Sequence, residues 1–183
     1  MSKWLINLNH SSAVFAVRHM MVSWVWGQFN RITGNLDFDP LDVAAGSVVV
    51  EIDAASIHTG VEKRDLHLKS PDFLDVEKYP TISFKSTRIE LDGLDEALVH
   101  GDLTLRGVTR PVILEACWSG PAYFDDEGKI CTSYGFRSET MINREDFGMT
   151  FNAEMEHGGF MAGRLVHLIL NLEVDLVGAQ KPF

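Results

Sequence analysis

The sequence is poor in cysteine, with only Cys117 and Cys131 among 183 residues. Two thiols exclude a disulfide scaffold, and their spacing fits no zinc-site pattern. Long apolar runs are also missing. No stretch approaches the roughly 18 consecutive apolar residues of a bilayer-crossing helix. The run near the start, Trp4-Leu5-Ile6, falls short of the roughly 7–15 residues of a secretory leader core. A chain starting at Met1 is therefore expected in the cytoplasm, or in the periplasm where a leader has been removed. Positive charge is scarce, with 16 Lys and Arg against 26 Asp and Glu, giving a formal net charge of −10. That balance disfavours nucleic-acid binding and docking on anionic membranes, both of which need clustered cations. Gly-x-Ser-x-Gly elbows and glycine-rich nucleotide loops are absent. None of the seven histidines forms a His-x-x-x-His pair, and only Asp65-x-His67 has ligand-like spacing. No metal, no cofactor and no catalytic residue are expected.

Period-two alternation dominates what is there. Val166, Leu168, Leu170, Leu172, Val174 and Leu176 alternate with His167, Asn171, Glu173 and Asp175, with Ile169 the one apolar exception. This marks a long strand with one buried face. Val48-Val50-Ile52-Ala54 and Val112-Leu114-Ala116-Trp118 repeat the pattern. Strands are predicted near 4–10, 12–20, 22–32, 35–39, 46–54, 81–91, 97–106, 111–119, 131–143 and 164–177. Turns are expected at Gly34-Asn35, Asp92-Gly93 and Asp126-Glu127-Gly128, pairs and triplets that supply positive φ. No long helical pattern lies between the strands, so the sheet is antiparallel. Two short helices are predicted in the middle of the chain. One has Thr59 as N-cap and Glu62 reaching back; the other has Ser70 as N-cap and Pro71 at its first position. No linker or repeat divides the chain, and a single domain over 1–183 is expected.

This many antiparallel strands form a sandwich or close into a barrel. Met20-Met21-Val22-Ser23-Trp24-Val25-Trp26 is apolar on both faces, which suits a wall between an interior and a helix or second subunit. Seven methionines and eleven phenylalanines suit a greasy ligand as well as a solid core. Arg64-Asp65 and Asn143-Arg144 read either as a corner-fixing ion pair or cap, or as an arginine meeting a ligand headgroup.

Five segments resemble the YceI-like family. They are His10–Met20 with Gly27-Gln28-Phe29, Ser56–Gly60 leading to Arg64–Leu68, Ser70–Pro80 followed by Ile82–Ser86, Gly101–Val112, and Ile142–Met149. They occur in order along nearly the whole chain. The resemblance implies an all-β, extended antiparallel up-and-down barrel, lipocalin-like, with one or two short helices capping it. It further implies non-catalytic binding, transport or sequestration of an amphiphilic isoprenoid lipid, a polyprenyl phosphate or quinone-like molecule, in an apolar lumen. Arg164 departs from the pattern, standing where relatives often carry an acidic residue. The side chains expected against the ligand are Phe15, Val17, His19, Met21, Trp24, Trp26, Phe29, Phe84, Arg144 and Phe147. A homodimer is expected. The alternatives are an enzyme acting on a lipid-like substrate in the same barrel, or an interaction-only scaffold that dimerises with two-fold symmetry through the Trp24/Trp26 region.

Overall fold

A computed structural model describes residues 2–126, 129–153 and 159–177. Eleven strands appear there: β1 (Ser2–Ile6), β2 (Ser12–His19), β3 (Ser23–Phe29), β4 (Ile32–Phe38), β5 (Ser47–Asp53), β6 (Ile57–His58), β7 (Thr81–Leu91), β8 (Glu96–Leu105), β9 (Val108–Asp126), β10 (Lys129–Asn143) and β11 (Ala162–Val177). All pairings are antiparallel. The ring runs β1-β4-β5-β7-β8-β9-β10-β11, and β1 returns to β11, which closes an eight-strand barrel.

One wall of this barrel is built in two tiers. The far part of β11 pairs with β1, Leu5 opposite Asp175, while its near part pairs with β2, Val17 opposite Val166. β3 then adds to β2, and β6 adds to β3. The tiers separate where the main chain bends between β3 and β4. There the Asn30 and Arg31 amides both donate to Ser56 Oγ, at 3.1 and 3.2 Å. The strand predicted over 22–32 therefore stops at Phe29, and the one predicted over 35–39 starts earlier, at Ile32.

Alternation decides what faces inward. In β11 the Val166, Leu168 and Leu170 side chains share a face with Val17, Phe15 and Ala13, their partners in β2. At the β1 end the lumen is filled. Phe38 makes edge contacts with Trp4, Trp118, Tyr134 and Phe136 at centroid distances of 5.0–6.3 Å. The Trp4 indole N–H is satisfied by the Phe38 carbonyl at 2.9 Å. Such tilted aromatic pairs stabilise beyond their burial, by about 0.5–1.5 kcal/mol each.

The turns follow their chemistry with one correction. Asp92 and Gly93 begin the β7–β8 connection, and β8 and β9 meet through Arg106-Gly107, both at positive φ (51° and 71°) as a tight two-residue hairpin requires. Gly34-Asn35 is not a turn. Both residues lie inside β4, paired with Val50 and Val49, and a side chain on Gly34 would collide with the Val49 carbonyl. At the expected Asp126–Gly128 turn, Asp126 pairs with Lys129. Glu127, Gly128 and His157 lie outside the described residues.

Among the described residues there is one α-helix, α1 (Glu62–Lys69). Its N-cap is Val61 and carries no side-chain bond. Thr59 is diverted from the predicted capping box: its amide and hydroxyl donate to Asp65 Oδ1 at 2.9 and 2.5 Å. The helix expected after Ser70 is a series of turns instead. Ser70 caps the end of α1, its hydroxyl donating to the His67 carbonyl at 2.8 Å. That role ends one helix where the sequence suggested the start of another. No helix among the described residues is long and apolar enough to cross a membrane.

Candidate ligand-binding cavity

Above the aromatic floor the barrel encloses a cavity of about 340 Å³. Its wall is aliphatic and aromatic: Phe15, Val17, Phe29, Phe84, Leu103 and Leu168 are representative. A second, smaller cavity of about 70 Å³ lies between the first and the floor, lined by Phe38, Trp118, Phe136 and Leu172 among others. Val50, Phe84, Leu114, Ser138 and Leu170 border both, forming a waist. Phe84 fits there because its neighbour is Gly101; a methyl on Gly101 would fall 2.6 Å from the ring Cε2.

The mouth lies at the α1 end. His67, Phe151 and Met161 line the cavity and are themselves exposed. The His67 and Phe73 rings and the Phe151 ring form a mutual edge-packed triangle, with centroids 5.0–5.6 Å apart. His67 Nε2 lies 2.8 Å from Asp72 Oδ2, whereas Asp65 is engaged by Thr59 and by His58 at 3.3 Å. Asp65 and His67 therefore serve different partners and make no shared metal pair. Among the described residues no group of three or more His, Cys, Asp or Glu side chains is arranged to hold a metal.

α1 is tied to the barrel by a three-residue network. Arg64 Nε donates to Thr59 Oγ1 at 2.7 Å and its Nη2 to the Thr59 carbonyl at 2.9 Å, while Thr59 donates on to Asp65. Asp65 is buried, so these charge-assisted bonds act where screening by water is weak. Asn143 plays the capping role: its Oδ1 accepts the Glu145 amide at 3.1 Å and starts the 3₁₀ turn Arg144–Phe147.

Arg144 heads that turn and reaches the cavity wall. It is 3% exposed. Its Nε donates to the Gly163 carbonyl at 2.9 Å and its Nη1 to the Met149 carbonyl, and the Phe73 ring lies 6.0 Å away. Nη2 is buried without a hydrogen-bond partner. Burial pushes the guanidinium below its ordinary value; Glu145 opposes that, and Arg164 adds to it. Glu145 is itself paired with Arg164 at 3.2 Å, and no carboxylate among the described residues is bonded to Arg144. An orphaned buried donor of this kind costs about 1–3 kcal/mol, and more on a charged group.

Residues 4–174 match the YceI-like domain. The chain belongs to the YceI-like family. Protein YceI of Escherichia coli O157:H7 is 39% identical over 164 residues, covering 90% of this chain and 81% of that protein. The crystal structure of a Campylobacter jejuni YceI protein superposes with a TM-score of 0.67 at 29% identity, over 89% of this chain and 90% of that one. A polyisoprenoid-binding domain from Saccharophagus degradans shares the fold, with a TM-score of 0.65 at 13% identity, over 95% of this chain and 98% of that one.

In this YceI-like barrel, Phe15, Val17, His19, Phe29, Phe84 and Arg144 all line the cavity. Four expected residues do not. Trp24 and Trp26 face outward, 45% and 53% exposed, because Val25, between them, takes the inward position. Arg18 stacks over the outward Trp24 ring at 4.6 Å. Met21 sits at positive φ in the β2–β3 loop and is exposed. Phe147 is buried but belongs to the solid core beside the cavity. Sequence reasoning missed Leu68, Phe73, Met149, Phe151, Asn152 and Met161, which complete the mouth of this YceI-like cavity. They stand on a helix, turns and loops that carry no period-two signal.

Proposed function

We propose that this protein binds an amphiphilic isoprenoid lipid, a polyprenyl phosphate or quinone-like molecule, and carries or sequesters it without chemical change. The observation that carries this reading is the 340 Å³ cavity, whose wall is mostly aliphatic and aromatic, with Ser83, Ser138, Thr140, Asn152 and a few basic side chains as its polar members. An apolar chain moved from water into such a wall gains about 0.8 kcal/mol per buried methylene, before ordering costs. The name of the Saccharophagus degradans domain, which shares this fold, supports the isoprenoid class.

Mass spectrometry of organic extracts from the purified protein tests the proposal, together with uptake of added geranylgeraniol. Co-purified lipid, or saturable one-to-one uptake, is the expected result. A protein that yields no lipid and takes up no geranylgeraniol overturns it.

A further inference from the structure

The cavity mouth is bordered by apolar side chains that face water. Met20, Met21 and Val22 form the β2–β3 loop, and Phe151, Phe160 and Met161 lie on the connection from β10 to β11. All six are exposed, Val22 by 76%. Main-chain bonds draw these segments together: the Met20 amide donates to the Met161 carbonyl at 2.9 Å, and the Met161 amide to the Ala153 carbonyl at 3.0 Å. Phe151 packs in turn on His67, so one rim runs from the β2–β3 loop to α1. The loop itself is strained. Met20 and Met21 both take positive φ (51° and 62°), in a turn closed by the Val22 amide on the His19 carbonyl at 3.1 Å. Asn and Gly are the usual residues at such positions. Neither methionine is buried in return, and strain without burial marks a segment kept for something outside the fold.

Charge is divided along the barrel. Asp39 and Asp42 follow Phe38 out of the aromatic floor, Asp92 and Asp95 sit in the β7–β8 connection at that end, and Asp125 and Asp126 finish β9 there. The rim segments 18–22, 149–153 and 159–165 contain no Asp or Glu and hold Arg18 and Arg164. Glu154 and Glu156 lie outside the described residues. Each rim arginine stacks on an exposed ring, Arg18 over Trp24 at 4.6 Å and Arg164 over Phe160 at 5.8 Å. An apolar tip backed by aromatic rings and cations is the composition of a surface that sits in a bilayer interface.

We propose that the mouth docks on the surface of a lipid bilayer. Met20, Met21, Val22 and Phe160 enter the boundary between headgroups and acyl chains, and the acidic closed end points to water. Trp24, roughly 7 Å along β3 from Val22, lies at headgroup depth. This rests on the reading of the cavity as a lipid site and names the partner from which that site is loaded. A second copy set rim to rim would seal both apertures, whereas a bilayer leaves the lipid a path that never crosses water. Apolar insertion carries the contact, so no anionic lipid is required.

Flotation of the wild-type protein with phosphatidylcholine vesicles tests this, alongside geranylgeraniol uptake without vesicles. The protein is expected to float with the vesicles, its partition changing less than about twofold between low salt and about 0.5 M salt. Met21→Asn combined with Val22→Ser, with Asn tolerating the positive φ, should weaken that partition about tenfold. Geranylgeraniol affinity in solution should stay unchanged in this double variant, since neither residue lines the cavity. Uptake of geranylgeraniol without flotation overturns the docking surface and leaves the lipid site intact, a result that does not depend on the variant folding. Flotation that the double variant retains in full also overturns it. So does a wild-type dimer in sedimentation that the double variant abolishes, which would assign the rim to a second copy. Absence of geranylgeraniol uptake overturns the cavity reading on which the proposal rests.

Discussion

Phe84 lies flat against the bare backbone of Gly101 on the adjacent strand, and the ring stands between the two chambers of the lumen. Removing it joins about 70 Å³ to the larger cavity. Phe84→Ala is expected to shift the preferred chain toward longer molecules, read by competition across prenyl alcohols of increasing length. It also lowers stability by about 3–5 kcal/mol, as deletion of a buried ring does. An unchanged length preference in a folded variant would show that the waist does not limit the chain.

The reverse substitution probes the same contact from the other side. Gly101→Ala places a methyl against the ring and against the Lys85 carbonyl, 2.6 Å away. A main-chain atom cannot step aside cheaply, so destabilisation of about 1–3 kcal/mol is expected in urea titrations. Phe84→Leu combined with Gly101→Ala should recover part of that loss, since the two positions are in contact.

Trp24 and Trp26 stand outside the lumen. Trp24→Ser and Trp26→Ser should leave geranylgeraniol affinity within about twofold of wild type, because neither side chain borders the cavity. Fluorescence-independent binding, such as calorimetry, is the appropriate measurement, since the substitutions remove indole emission. A tenfold loss would place one of these rings at the ligand after all.

Asp65 gathers the Thr59 amide, the Thr59 hydroxyl and His58 around one buried carboxylate. Asp65→Ala should cost about 2–3 kcal/mol, the range for hydrogen bonds to a charged group. The loss should be local first. Hydrogen exchange is expected to rise through Glu62–Lys69 while the amides of β9 and β10 remain protected.

Tyr134 gives the protein an alkaline limit. Burial, with Tyr123 and Asp39 adding to it, raises this phenol above the ordinary tyrosine value of 10.0. The folded state therefore keeps a proton that the unfolded chain releases. That contribution is complete below about pH 10 and is lost as pH rises through the folded value. Tyr134→Phe should flatten the alkaline limb of a stability-against-pH curve, followed by far-ultraviolet circular dichroism; an unchanged slope would assign the limb to other groups.

How much of this was legible in the sequence depended on whether a residue sat in a regular strand. Phe15 and Val17, inside the apolar run Ala13–Val17, came with the family resemblance, whereas Val166, Leu168 and Leu170 announced their inward face by strict alternation. The Trp24–Val25–Trp26 segment did not, because three apolar residues in a row give parity no contrast. Its phase is set by Met20 and Met21, which take positive φ (51° and 62°) in the loop before it. Thr59 and Ser70 carried genuine cap chemistry, but tertiary partners claimed it: Asp65 took the Thr59 donor, and the end of α1 took Ser70. Arg144 was visible as a candidate in the sequence. Its lack of a bonded carboxylate among the described residues was not, since Glu145, the next residue, pairs with Arg164 instead.

The knot of rings around Phe38 makes the barrel a cul-de-sac. Under the proposed function, a lipid taken in chain-first at the His67 rim would have no far exit and would leave by reversing through the same aperture, so that uptake and release would share one door.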